Sequence, residues 1–315
     1  MITVVPDYYD KFRCIADRCR HSCCIGWEID IDADSLEYYK TIDGELGKRL
    51  CENIATEADG TSHFKLCEDD RCPFLNEKNL CDIYTELGQK GFCQICDDHP
   101  RFRNFYSDRT EIGLGMSCEA AAKLILSQKE PSVLVTKEND DGEFLWEEEC
   151  DFLDFRDDIF DILQDRTKNT EERICDMMDF CNISLPQKTA AQWADIFLKL
   201  ERLDGSWDFL LNELKNADEN TLVMPHSAET ETVFEQLAVY FVFRHLADSL
   251  DDGRLAERVK FMALSCKMIY LLCAVQYNKN NGITINDIAE IVRMYSSEVE
   301  YSDDNMEKLF DILDE

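Results

Sequence analysis

Sixteen cysteines stand in this 315-residue chain, and eleven of them fall between Cys14 and Cys118. The first run is Cys14-x4-Cys19-x3-Cys23-Cys24. Then come Cys72 and Cys81 in CPFLNEKNLC, Cys93 and Cys96 in GFCQICDDHPR, and Cys118 in GLGMSCEAAAKLIL. Thiolates are soft ligands that select zinc, copper(I) or iron–sulfur clusters. Zinc and a cubane cluster each take four ligands, mostly Cys. Cys14, Cys19, Cys23, Cys24, Cys72, Cys81, Cys96 and Cys118 are the expected metal ligands. They exceed the needs of one four-ligand site, so one site with spares and two sites both remain open. Cys93 stays undecided between ligand and packed thiol. Cys51, Cys67, Cys150, Cys175, Cys181, Cys266 and Cys273 lack such grouping and read as small buried hydrophobes.

Composition narrows the context. Acidic residues outnumber basic ones 66 to 33, a formal net charge of -33. Binding to nucleic acid or an anionic membrane rests on Lys and Arg neutralising phosphates, so neither is expected as main partner. The first ten residues lack a signal peptide's basic region and apolar run, and no stretch reads as a membrane span. A cytoplasmic protein is expected. In a reducing compartment, clustered cysteines bind metal or react more often than they form disulfides.

The elements around these cysteines predict a mainly α protein. An irregular Cys-rich metal-binding module with short strands is expected over residues 1–135, and an all-helical domain over 144–315. Residues 1–31 read as irregular. One helix is expected over 32–54, capped by Asp32 or Asp34 and weakened by Gly44 and Gly47. His63–Cys67 alternates like a strand, and CPFLNEKNLC reads as a small hairpin that brings Cys72 near Cys81. A strand-like piece precedes a helix that starts near Ser117. Pro131 and Gly142 place the module boundary near 130–143. Beyond it, Phe152, Phe155, Ile159, Ile162 and Leu163 form a helical stripe. Two longer helices are separated by Gly253, and Thr284 with Asp287 makes a capping-box-like start.

The Cys14–Cys24 run with Trp27, the CPFL…LC pair, the Cys96-x3-Pro100-Arg101 run and Ser117-Cys118-Glu119-Ala120-Ala121 together resemble the flagellin lysine-N-methylase family. That family lies in a wider group with a Cys-rich zinc- or iron-chelating domain. The likeness covers roughly residues 8–127, with departures at His99 and Ala120; beyond it lies only general helical character. The resemblance implies a [4Fe–4S] cluster, S-adenosylmethionine as methyl donor, and a lysine of an exposed protein such as flagellin as acceptor. Zinc is the alternative metal. A zinc- or iron-chelating interaction module without catalysis is the alternative function.

Nucleotide signatures are absent. Gly113-x-Gly115 lacks a third glycine at 118, and no G-x4-GK[ST] occurs, so any donor site is not of the Rossmann type. A radical C-x3-C-x2-C pattern fails because position 26 is Gly. Direct ligation of the donor to an open iron remains a hypothesis. Methyl transfer needs a neutral lysine amine, whereas free lysine titrates near ~10.4, so desolvation or a base is required. Asp98 and His99 beside Cys96, Glu119 after Cys118, and Tyr106 are the candidate catalytic residues. Arg101 is a candidate for the donor carboxylate, and Trp27 for stacking on a ligand. His21 reads as adjacent to the metal site rather than ligating, and His226 and His245 as structural. The acidity of the helical part would steer a Lys-bearing protein towards it. Binding of such a protein should weaken steeply as salt rises in a titration from low to physiological ionic strength; salt-independent affinity would count against steering.

Overall fold

The computed structural model describes residues 2–138 and 144–314. Gly142 lies outside them. The chain forms two compact units: Arg13–Arg101, and Met1–Phe12 together with Phe102–Glu315. This division differs from the expected one near 130–143, and strand pairing explains the difference. Ile2–Pro6 pairs in parallel with Arg109–Leu114 and antiparallel with Leu134–Glu138. Those ladders bind both sides of the expected boundary into the larger unit. The run Ile2-Thr3-Val4-Val5 is rich in β-branched residues, which favour strands, so the expectation of irregular structure at the N-terminus is corrected.

The described residues from 144 to 314 form helices and no strands, as expected, but the larger unit also includes strands from earlier in the chain. It carries a four-stranded sheet in the order Arg101–Phe105, Arg109–Leu114, Ile2–Pro6, Leu134–Glu138. Helix Glu147–Leu163 buries Phe152, Ile159 and Leu163, as the stripe predicts. Ala228–His245 and Leu255–Asn280 are the two longer helices. Gly253 ends an intervening short helix with φ +71°, a left-handed conformation that glycine adopts without steric penalty. Thr284 Oγ1 accepts from the Asp287 backbone N–H at 3.2 Å, and Asp287 Oδ2 accepts from the Thr284 N–H at 2.9 Å, completing the capping box. Leu255–Asn280 is long and apolar enough to cross a membrane, contrary to the sequence expectation. Its apolar residues are buried within the unit, including Val259, Phe261, Met262 and Leu272. A helix apolar all round is what the centre of a large core requires.

Buried ion pairs fasten these layers. Arg156 on helix Glu147–Leu163 donates to both carboxylate oxygens of Glu111, at 2.5 and 3.0 Å. The two side chains are only 4% and 0% exposed. Glu235 likewise accepts from Arg166 and Arg173. Glu300 accepts from Tyr240 Oη at 2.8 Å and pairs with Arg244 and His245. His245 is thus structural, as expected.

The smaller unit is built from short pieces. Asp30–Ile31, Ser62–Phe64 and Ile54–Thr56 form a three-stranded sheet with Ser62–Phe64 in the middle. The single expected helix is two, Ala33–Lys40 and Gly44–Asn53. The break falls at residues 41–43: Gly44 opens the second helix with φ +81°, and Gly47, inside that helix, lets the Ile42 carbonyl oxygen approach to where a Cβ would stand only 1.9 Å away. Asp32, not Asp34, caps the first helix by accepting from the Ser35 N–H. Tyr39, Leu46, Leu50, Phe64, Phe74 and Ile83 make the core, with Cys72 and Cys93 among them.

Replacing Arg156 with Met should destabilise the protein by about 3–5 kcal/mol, because Glu111 would keep a buried, unpaired charge. Urea unfolding of Arg156→Met and of the double variant with Glu111→Leu checks this. The double variant should recover most of the loss.

Candidate functional site

The smaller unit brings five thiols together: Cys24, Cys72, Cys81, Cys93 and Cys96. Backbone pairing does it. The Cys72 N–H donates to the Cys24 carbonyl at 2.8 Å, and Ile25 bridges Arg71 beside it. The expected hairpin is present as the Leu75–Cys81 bridge, with Asn79 at φ +54° in its turn. Arg71 braces that turn by donating to the Asn76 carbonyl and Asn79 Oδ1. Cys81 caps helix Asp82–Leu87, and Cys93 caps helix Gln94–Asp98, which carries Cys96 on its first turn.

These sulfurs act on one another electrostatically. Burial pushes the Cys72 thiol up to about 12, and charge on Cys24, Cys81 or Cys93 would raise it further. Burial also raises Cys81, with Cys24 adding to it. Cys96 is raised by the hydrogen bond between it and Cys93 and then by burial, with Cys24 and Cys72 contributing. Cys93 is correspondingly lowered by that same bond. Cys24 is lowered mainly by a hydrogen bond with Cys23. No cysteine is joined in a disulfide.

The donor chemistry therefore fits a soft-metal or iron–sulfur centre, since crowded thiols become willing ligands when a cation offsets their charges. Coordination geometry is not formed: among the described residues, no three His, Cys, Asp or Glu side chains stand positioned to hold a metal ion. The set also differs from the eight expected. Cys93 belongs to it. Cys14 is exposed, with its sulfur accepting from the Ala16 N–H at 3.4 Å. Cys19 donates to the His21 carbonyl at 3.2 Å. Cys23 touches the set through Cys24. Cys118 lies in the larger unit, capping helix Glu119–Leu126. Of the thiols expected to be buried, Cys266 and Cys273 are, whereas Cys51, Cys67, Cys150 and Cys175 are exposed.

An open cleft of about 500 Å³ lies in the same unit, lined by Asp32 and Ser35 and, from the other side, by Gln89, Lys90, Phe92, Gln94 and Asp97. The Asp32 carboxylate joins its two sides by accepting from the Ser35 and Gln94 backbone N–H groups. Those bonds hold its pKa below the ordinary carboxylate value, although burial acts the other way. Cys93 and Cys96 immediately flank Gln94 and Asp97 in the chain, and charge on Asp32 acts on Cys93.

The other expected site residues fall in several places. Asp98 ends helix Gln94–Asp98 but does not line the cleft; its neighbour Asp97 does. Burial and the Arg101 charge push His99 down to about 4, so its imidazole is neutral at physiological pH. The Arg101 guanidinium donates to the Asp97 carbonyl at 2.9 Å. Trp27 is 38% exposed rather than in the core, and its indole N–H donates to the Cys23 carbonyl. Glu119 sits in the first turn after Cys118, in the larger unit. Tyr106 is buried in that unit's core, its ring near Phe152 and its hydroxyl within 3.4 Å of Arg156. Asp32 was legible only as a helix cap, and Lys90, Gln89 and Gln94 carried no signal beyond adjacency to the Cys93–Cys96 pair.

The chain thus pairs a thiol-rich module with a helical domain that carries a small mixed sheet. Residues 187–315 match the FliB lysine N-methylase C-terminal domain. The match falls on the helical region, outside the 8–127 stretch that carries the cysteine motifs. A lysine-N-methylase of Salmonella typhimurium strain LT2 is 28% identical over 142 residues, 43% of this chain and 35% of that protein. The flagellar biosynthetic protein FliU of Salmonella muenchen is 28% identical over 144 residues, 44% of this chain and 85% of that protein. A lysine-N-methylase of Salmonella choleraesuis strain SC-B67 gives 28% over 142 residues, again 43% and 35%. These matches span about a third of the length of the two lysine-N-methylases. No solved structure matches.

Alkylation of the native protein, mapped by peptide mass spectrometry, should label Cys51, Cys67 and Cys150 rapidly and Cys266 and Cys273 only after unfolding. In metal-loaded protein the five converging thiols should move together into the protected class. Cys72 and Cys93 labelled as fast as Cys51 would show that they share no centre.

Proposed function

We propose that this protein transfers a methyl group from S-adenosylmethionine to lysine side chains of a protein substrate, and that its smaller unit holds a thiolate-bound iron–sulfur or zinc centre. The observation that carries the reading is the family match over residues 187–315, joined in one chain to five converging thiols. The name of the relative FliU points to a flagellar protein as acceptor.

A four-ligand centre would draw on Cys24, Cys72, Cys81, Cys93 and Cys96, leaving one thiol over. Such a centre supplies the positive charge that lets neighbouring thiols ionise together. In the transfer, the lysine nitrogen lone pair attacks the methyl carbon. The carbon–sulfur bond breaks with its electrons on sulfur, leaving S-adenosylhomocysteine, and the nitrogen's extra proton passes to a base or to water. The lysine must arrive uncharged. The neutral His99 ring does not repel an ammonium, but pushed down to about 4 it is a weak base, so the proton would pass elsewhere. Asp97, placed on the cleft, is a better candidate than Asp98 to hold a charged group there.

The test is anaerobic purification with iron, acid-labile sulfide and zinc assays, followed by incubation with methyl-labelled S-adenosylmethionine and flagellin. Label on lysine, with metal content lost in Cys93→Ser and Cys96→Ser but kept in Cys51→Ser, is the expected result. A metal-bearing protein that labels no lysine would leave the chelating interaction module as the function. A protein without metal would remove the centre from the reading.

A further inference from the structure

The cleft beside Cys93 and Cys96 has a lining of unusual balance. It presents one ammonium, Lys90, and two carboxylates, Asp32 and Asp97. The two acids are not equivalent. Asp32 spends both oxygens on the backbone N–H groups of Ser35 and Gln94, at 2.9 and 2.8 Å, and so acts as a rigid wall. Asp97 receives the Gln89 side-chain amide on Oδ1 at 2.7 Å, which orients the carboxylate at the cleft. Phe92 adds an apolar side, itself backed by Tyr84 with ring centroids 5.3 Å apart.

Ligand classes can be weighed against that lining. A phosphate or other plain anion would face two carboxylates. A lone ammonium, such as an acceptor lysine, would face Lys90. A divalent cation finds no group of three donors among the described residues. A ligand carrying both charges a few bonds apart satisfies all of them, and this is the head of an α-amino acid. The remaining amide, hydroxyl and aromatic groups suit a nucleoside, through ribose hydroxyls and a planar base. The volume of about 500 Å³ lies in the ~300–1,000 Å³ range of small-molecule sites.

We infer that S-adenosylmethionine binds in this cleft, its carboxylate on Lys90, its α-ammonium on Asp97 and its nucleoside along Phe92, Gln94 and Ser35. The inference rests on the methyltransferase reading for the identity of the ligand, but not for the chemistry of its recognition. It places the donor next to the thiol-bearing segment 93–96 without requiring the donor to ligate a metal.

Calorimetric titration with S-adenosylhomocysteine and S-adenosylmethionine tests it without recourse to turnover. Lys90→Glu and Asp97→Asn should each weaken binding roughly tenfold or more, the scale of a lost charge-assisted contact. Lys78→Glu, an equal charge change on the hairpin turn, should not. Circular dichroism and metal content should be unchanged in all three. A second measurement isolates the Lys90 contact. Decarboxylated S-adenosylmethionine should bind the wild type more weakly than the intact donor, and Lys90→Glu should abolish that difference. Wild-type binding that both cleft variants share, with the carboxylate preference kept in Lys90→Glu, would overturn the cleft assignment while leaving the methyltransferase reading in place. Wild-type protein that binds neither compound would overturn the assignment together with the donor.

Discussion

Thiolates crowded into a partly buried space cannot all carry charge unless a cation shares it. That constraint governs the smaller unit. Cys72 and Cys93 are buried among Tyr39, Phe64 and Phe74, and Cys24, Cys81 and Cys96 pack against the same core. Each buried sulfur raises the cost of ionising the next. The fold pairs sulfurs locally, Cys23 with Cys24 and Cys93 with Cys96: the first bond lowers Cys24, and the second lowers Cys93 while raising Cys96. The position of Cys93 at a helix cap and Cys96 one turn on is the backbone's part in that arrangement.

The larger unit meets a related problem with different means. A chain this acidic places most carboxylates in water, yet Glu111, Glu235 and Glu300 are buried. Each has an arginine partner from a different segment: Arg156, Arg166 with Arg173, and Arg244. Burial alone would push Glu300 up; the Arg244 charge and the His245 and Tyr240 hydrogen bonds outweigh it and hold the carboxylate ionised. Such pairs contribute little net stability compared with an apolar core, but removing one partner is costly. They fix which strand or helix lies against which. Glu300 also ends a π-helical turn, Ser296–Glu300, within the stretch that matches the FliB lysine N-methylase C-terminal domain.

The cleft and the thiols share their walls. Helix Gln94–Asp98 offers Cys96 on one of its faces and Gln94 and Asp97 to the cleft. Asp32 both caps helix Ala33–Lys40 and holds the N–H of Gln94. Loss of order in the thiol-bearing segment would therefore deform the cleft, and the reverse. A centre bound by the thiols would stiffen the same five-residue helix that a ligand in the cleft touches.

By itself the sequence determined the features that are local. Helical periodicity, the Thr284–Asp287 cap, the stop at Gly253 and the Cys72–Cys81 turn each depend on residues a few positions apart, and each is found in the structure. It also showed that the first third of the chain is rich in cysteine, a side chain that is both soft and acidic. Tertiary structure decided what depends on distant partners. Pairing of Ile2–Pro6 with strands more than a hundred residues away moved the boundary between units, although its β-branched run was a signal that periodicity over a longer window masked. The expected helix is divided at residues 41–43, and Gly47, inside the second piece, lacks the Cβ that would collide with the Ile42 carbonyl of that connection. The selection of Cys93 over Cys14 for the shared thiol group, and of Asp97 over Asp98 for the cleft, was settled by which way short helices and a two-segment backbone pairing turn their side chains. Adjacent residues in sequence point in different directions, so only the assembled fold can choose between them.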